Sequence, residues 1–443
     1  MKKNNKLKIL KSQKYYLEAK KYIPGGTQLF SKRPELFLPD LWPSYFSKSK
    51  GSKVWDLDNK AYLDFSYMGV GANILGYCDK DIDKSVKNII SKGNMSTLNA
   101  PEELELTKLL IKLHPWFGSA RYCKTGGEAC SLSIRIARAS SNKNIILFCG
   151  YHGWNDWYLS TNLNDNSNLK NHLIDGLGVK GVDINLKNSS IPFEYNNIYE
   201  FKELVNKYKN KIAAVIMEPI RNFEPKNRFL QQIRSITKKN NIILIFDETS
   251  SGFRITSGGA HKKFKIYPDL AIFGKGISNG YSISAVLGKK NVMKHVQESF
   301  VSSLYWTERI GFAAAITTIR KFNKQKIWKN LNENGRLIQD GWKELSKKNN
   351  ININVTGIYP LSYFEFQYDN KLELKTFFVQ EMLKKGFLST TAYYASYAHT
   401  KNQINNYLKC FDRVLKKMNQ IGPKNITKYL ETSVCHGSFK RLN

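Results

Sequence analysis

Ile242-Ile243-Leu244-Ile245-Phe246-Asp247-Glu248 and, a little further on, Leu270-Ala271-Ile272-Phe273-Gly274-Lys275-Gly276 decide how the chain is read. Each is a short unbroken apolar run closed by a charged residue. Runs of this length without polar alternation belong to strands covered on both faces, as in a parallel sheet. Two more stand upstream, Ile145-Ile146-Leu147-Phe148 and Ala213-Ala214-Val215-Ile216-Met217. Amphipathic segments of helical length lie around and between them, at 101–113, 128–140, 198–208 and 229–239. Strands alternating with helices predict an α/β fold, a three-layer αβα domain with a mostly parallel sheet.

Outside this region the pattern changes. Residues 1–23 predict an amphipathic helix ending near Pro24-Gly25-Gly26. The β-prone runs 44–46, 53–57 and 61–65, the last following the turn Asp58-Asn59-Lys60, predict a small antiparallel meander. Beyond residue 312 come helical stretches at 313–322 and 326–348, strands at 351–355, 361–367 and 387–389, and a closing helix over 403–418. The expected organisation is therefore an N-terminal helix and meander (1–65) packing with the C-terminal lobe, a large α/β domain (66–315), and a C-terminal α+β domain with its tail (316–443). The small domain is then built from both termini.

Composition narrows the class. The 443 residues are 42% hydrophobic and 13% aromatic, ample for a large core. No apolar stretch reaches the roughly 18 residues that span a bilayer, and the basic N-terminus has no apolar core of a secretory signal. Six cysteines without a paired spacing read as reduced thiols of a cytoplasmic protein, with no metal site expected. The net charge of +33 comes mostly from lysines spread along the whole chain rather than gathered in a stripe. That favours a solvated basic surface over a nucleic-acid site, and a positive field that steers anions toward a cleft.

In open α/β sheets function gathers at the carboxyl ends of the strands, and four such places carry unusual residues. Lys124-Thr125-Gly126-Gly127-Glu128 opens a helix: the glycines let backbone N–H groups approach an anion, above all a phosphate, although Thr125 and Glu128 also read as a plain capping box. Gly150-Tyr151-His152-Gly153 offers an aromatic face to a planar ring, or is a packed surface turn. Asp247, ending the most apolar strand, is costly to bury without a partner; a protonated pyridine nitrogen would serve, as would a metal or a helix cap. Lys275, between two glycines, would have its pKa lowered by burial and become a nucleophile toward an aldehyde, unless it snorkels to solvent. Together, a phosphate loop, a stacking aromatic, an acid for a ring nitrogen and a nucleophilic lysine are what a pyridoxal 5'-phosphate site requires.

In this order and spacing the chain resembles the class III, fold type I, pyridoxal-phosphate aminotransferases, and within them the glutamate-1-semialdehyde 2,1-aminomutases. The matching stretches are Pro24-Gly25-Gly26, Thr125-Gly126-Gly127-Glu128-Ala129, Tyr151-His152-Gly153, Met217-Glu218-Pro219, Asp247-Glu248 with Gly252-Phe253-Arg254, Gly274-Lys275 and Ala398-His399-Thr400. The resemblance implies a homodimer with active sites at the subunit interface. It implies a Schiff base at Lys275, which also moves the proton between substrate and cofactor. Asp247 would keep the ring nitrogen protonated and Tyr151 would stack on the ring. Thr125, Gly126 and Gly127 would hold the phosphate, and Glu218 would stand close to the cofactor.

The departures fall elsewhere. The phosphate loop reads Thr125-Gly126-Gly127 where the class has Ser-Gly-Thr. A phosphate-binding Thr of the neighbouring subunit aligns with Leu304, so Ser303 or Thr307 takes that part. The aminomutase arginine that grips a substrate carboxylate is replaced by Lys32, with Arg33 beside it, and no glycine-rich lid is evident in 154–168. Two reactions follow: an intramolecular transfer giving 5-aminolevulinate, or an intermolecular transfer to another carbonyl compound, including a sugar-derived one. A basic nucleic-acid-binding protein on the same fold is the reading from outside the enzymes.

Overall fold

The computed structural model describes residues 8–169, 172 and 178–438. The chain forms two compact units, 80–328 and the pairing of 1–79 with 329–443. The dividing points fall after residues 79 and 328, where the sequence suggested 65 and 315. Helix Arg309–Lys324 stays with the larger unit because it packs on helices Lys80–Ile90 and Pro101–Leu113.

The larger unit is built on a seven-stranded sheet. In spatial order its strands are Ser119–Cys123, Ser284–Gly288, Leu270–Phe273, Ile243–Asp247, Ile212–Met217, Ile145–Cys149 and Ser190–Pro192. Only Ser284–Gly288 runs against its neighbours. The two-period of the strands divides their side chains between two cores. Ile146, Phe148, Ala214, Ile216 and Ile245 face one layer, with helix Gly126–Ser141. Leu147, Cys149, Val215, Met217, Leu244 and Phe246 face the other, with helices Ile198–Lys207 and Phe229–Lys239. Double coverage is why Ile212–Met217 and Leu270–Phe273 are buried throughout and read as continuous apolar runs.

Two of the strands that the pattern did not announce have less apolar coverage or fewer residues. Ser119–Cys123 is partly exposed and carries an arginine. Ser190–Pro192 is an edge strand of three residues ending on proline.

The other unit joins both ends of the chain. Its antiparallel strands Phe46–Lys50, Lys53–Asp56 and Ala61–Phe65 continue into Phe387–Ser389, which runs parallel to Ala61–Phe65. A second sheet pairs Ile353–Thr356, Leu361–Phe366 and Ala392–Tyr394. The N-terminal helix spans Lys11–Tyr22; residues 1–7 of the expected helix lie outside the described residues. Its glycine pair has a steric reason: a Cβ on Gly26 would come 2.6 Å from the Tyr16 ring. Among the described residues no helix is long and apolar enough to cross a membrane.

Candidate active site

Four adjacent parallel strands end side by side, and their next residues meet at one edge of the sheet. Across the sheet the order is Lys275, Asp247, Glu218 and Tyr151, following strands Leu270–Phe273, Ile243–Asp247, Ile212–Met217 and Ile145–Cys149.

Lys275 leaves its strand through Gly274, where a Cβ would come 2.9 Å from Ser284 Oγ. It has φ +45°, in the left-handed region, which costs a non-glycine about 1–3 kcal/mol and clusters at functional sites. Its Nζ donates to Ser250 Oγ at 2.8 Å. Burial, then the positive charges of Arg221 and Arg254, bring its pKa down to about 8 against the pull of Glu218 and Asp247. More of the amine is therefore free near neutral pH than in an ordinary lysine.

Asp247 is buried and held from three directions. Its Oδ2 faces His152 Nδ1 at 2.9 Å and accepts from Cys130 Sγ at 3.4 Å; its Oδ1 accepts from the Thr249 amide at 3.0 Å. His152 Nε2 lies 3.1 Å from the Cys149 carbonyl, so both ring nitrogens face oxygen atoms. Burial pushes the Asp247 carboxyl up, but the His152 hydrogen bond and charge outweigh it and hold the group below the ordinary carboxylate range. The Thr249 side chain and amide add to the His152 contact in holding it ionised.

At the start of helix Gly126–Ser141 the capping box is present: Thr125 Oγ1 accepts the Glu128 amide at 3.2 Å, and Glu128 Oε2 accepts the Thr125 amide at 2.7 Å. The cap leaves the Gly126 and Gly127 amides, which no helical turn can use, so the loop serves both readings suggested by its sequence. A Cβ on Gly126 would come 2.9 Å from Thr249 Cγ2, and one on Gly127 3.1 Å from Asn155 Oδ1. Asn155 Oδ1, beside these glycines, is buried and makes no hydrogen bond among the described residues.

Glu218 and Tyr151 close the far side. A Cβ on Gly150 would come 2.8 Å from Glu218 Oε2, so the glycine admits this carboxylate. Glu218 Oε2 accepts the Tyr151 amide at 3.4 Å, and Arg221 Nη1 stands 3.4 Å and 3.5 Å from the two Glu218 oxygens. The Tyr151 side chain, 38% exposed, packs edge-on to Tyr158.

Thr307 is exposed, and its hydroxyl donates to the Leu304 carbonyl of its own turn. The neighbouring Trp306 Nε1 donates to Glu128 Oε1 at 3.3 Å. Lys32 and Arg33 belong to the other unit: Lys32 is exposed, and the Arg33 guanidinium lies over the Phe30 ring. Sequence reasoning passed over His152, Cys130, Thr249, Ser250 and Arg221. The first was visible as a histidine next to the stacking aromatic; the others become significant only through contacts across the sheet.

The family profile for Aminotransferase class-III matches residues 40–415. A 3-aminobutyryl-CoA aminotransferase from Cloacimonas acidaminovorans is 31% identical over 412 residues, 90% of this chain and 95% of that protein. A glutamate-1-semialdehyde 2,1-aminomutase from Nitrosopumilus maritimus is 33% identical over 434 residues, 92% of this chain and 100% of that protein. An omega-transaminase structure from Sphaerobacter thermophilus superposes with a TM-score of 0.82 at 21% identity, covering 92% of this chain and 97% of the other, and so shows a shared fold.

Proposed function

The chain belongs to the class III aminotransferases, whose cofactor is pyridoxal 5'-phosphate, and on that premise we propose that it moves an amino group through Lys275 between an amino donor and a separate carbonyl acceptor. The observation that carries this reading is Lys275 itself, its pKa brought down to about 8 and its Nζ aimed by Ser250.

The residues present fit the cofactor. Gly126 and Gly127, whose side-chain space is taken by Thr249 and Asn155, would offer their amides to the phosphate, and the Thr249 hydroxyl would join them. Thr125 closes the cap that presents them. Asp247, ionised by its histidine partner, would accept the ring N–H, with Tyr151 against the ring and Glu218 alongside. When bound, the cofactor supplies an aldehyde for the amine and a protonated ring that draws electrons from the substrate carbon. Lys275 Nζ would take the proton from that carbon and hand it to the cofactor side, a transfer suited to a base whose pKa lies near the working pH. Ser250 Oγ steadies Nζ between the two events.

Two finer features belong to the same reading. A homodimer is supported by the large apolar side chains left exposed at Phe300, Leu304 and Tyr305, in the segment that holds Ser303 and Thr307, and at Leu98. A cytoplasmic, reducing setting is supported by six free cysteines.

The second reading is the aminomutase one, favoured by identity across the full length of the Nitrosopumilus protein. Against it stand Lys32 at the place of the aminomutase arginine and the absence of a glycine-rich lid sequence in 154–168. A labelled amino group decides. The holoenzyme is given a panel of amino acids and its cofactor absorbance is followed; it is then given glutamate-1-semialdehyde alone. Response to donors with no 5-aminolevulinate supports intermolecular transfer. Formation of 5-aminolevulinate with the label retained overturns it in favour of the mutase.

A further inference from the structure

Asn155 opens the short helical turn Asp156–Leu159, the position from which an asparagine side chain ordinarily accepts an amide of the first turn. Its backbone carbonyl receives the Tyr158 and Leu159 amides at 2.9 Å and 3.2 Å, yet its side chain makes no capping bond. The carboxamide is turned the other way, toward the start of helix Gly126–Ser141. There Oδ1 lies 3.1 Å from the point that a Cβ on Gly127 would occupy, and 3.5 Å from that of a Cβ on Gly153. Polar atoms shut away from water are nearly always paired, and this one makes no hydrogen bond among the described residues.

The backbone brings it there. Gly153 has φ +101°, in the left-handed region, and a Cβ on it would come 2.9 Å from Gly127 Cα. A side chain at Gly153 would therefore push the segment after Tyr151 away from the first turn of the helix. Gly127 brings an amide to that turn and no side chain, and the space beside it is filled by a carboxamide from another segment. The space beside Gly126 is filled by Thr249 in the same way. A polar side chain thus stands against each glycine. The acid of that turn, Glu128, is spent on the Lys124 and Thr125 amides and on Trp306 Nε1. A carboxamide carries its two donors on Nδ2. With Oδ1 turned in against the glycines, Nδ2 is the end left for a ligand, and donors beside free amides suit an anion.

We propose that Asn155 is a phosphate ligand of the cofactor, its Nδ2 donating to a phosphate oxygen beside the Gly126 and Gly127 amides. The inference rests on the proposed role of those amides and deepens it. It also gives the loop's departure at Gly127 a structural counterpart: the side chain missing from the loop is replaced by one carried on the segment after Tyr151.

Pyridoxal, which lacks the phosphate, separates this role from simple packing. The full-length protein freed of cofactor is titrated with pyridoxal 5'-phosphate and with pyridoxal, and the Lys275-dependent absorbance is read. Asn155→Ala is expected to raise the half-saturating concentration of pyridoxal 5'-phosphate about 10- to 100-fold, the loss expected for a hydrogen bond to a charged group. That of pyridoxal stays unchanged. Asn155→Asp keeps the shape and sets a negative charge against the phosphate; its loss is larger and equally selective, and it serves if the alanine variant fails to fold. Equal binding of pyridoxal 5'-phosphate by wild type and both variants overturns the proposal, as does a loss that is the same for pyridoxal. The parent reading fails separately, if the wild type itself binds pyridoxal 5'-phosphate no more tightly than pyridoxal.

Discussion

Asp247 and Glu248 are adjacent in sequence, both buried, and each is paired with a histidine, His152 at 2.9 Å and His261 at 2.7 Å. Yet they build two different regions. Glu248 looks toward the loop that follows it. It accepts from Ser251 Oγ, from the Ala260 and His261 amides and from the His261 ring, so its oxygens are saturated by the chain itself. Behind it His114 accepts the Gly259 amide; burial, then the nearby His261, take the His114 pKa down to about 3, so this ring stays neutral. Asp247 stands at the strand ends beside Lys275 and Glu218, and its partners are the His152 ring, the Cys130 thiol and Thr249. The first acid clamps the loop that follows it; the second is the one proposed to meet the cofactor.

That contrast can be broken by mutation, and Lys275 sets the upper end of the scale. Lys275→Ala is expected to lower the single-turnover rate with an amino donor by about 10⁴-fold, the upper range of what a positioned acid–base contributes, while the thermal unfolding midpoint falls little. Asp247→Asn keeps the shape and removes the charge; its single-turnover rate should fall about 10²- to 10³-fold, as for loss of one preorganised electrostatic contact. Glu248→Ala should show the opposite division. Stranding two amides, a hydroxyl and a buried histidine is expected to destabilise the fold by about 3–5 kcal/mol, read as a lowered unfolding midpoint, with the folded fraction reacting faster than Asp247→Asn. If both acids lose stability and rate in the same proportion, the distinction between clamp and site collapses.

The pH dependence sharpens the same comparison from the side of Lys275. The fold takes its pKa from 10.5 to about 8, so uptake of pyridoxal 5'-phosphate by cofactor-free protein should accelerate with a midpoint near that lower value. The sign for stability follows. Between the two values the unfolded chain binds more protons than the folded one, so this group's contribution to stability rises as the pH climbs through that window. Titrating the unfolding free energy of wild type against Lys275→Ala measures it. The smallest effect belongs to Cys130→Ala. Its thiol, which burial keeps protonated, is a weak donor to Asp247, and its removal should slow the single turnover by less than about tenfold.

Much of this was legible in the residues. Apolar runs closed by Asp247 and Lys275 announced buried strands and charged ends, because a strand covered on both faces has no room for alternation and its first polar residue marks the edge of the core. Helices such as Pro101–Leu113 and Phe229–Lys239 were legible for a different reason, the helical spacing of the residues on their one buried face. The family signature added the parts for Thr125, Gly126, Gly127, Tyr151 and Glu218. Strand Ser284–Gly288 was not legible, since five residues carry little periodicity and its antiparallel place is chosen by pairing with distant neighbours.

The sequence by itself determined the α/β class, four of the sheet's strands and the lysine proposed to carry the chemistry. Those depend on local pattern and on residues that stand next to one another. Only the tertiary structure decided that His152 and Cys130 share Asp247, that Ser250 aims Lys275, and that Arg221 acts on the same amine. The reason is physical: charge and hydrogen bonding act through space, and the partners of Asp247 lie 95 and 117 positions away along the chain.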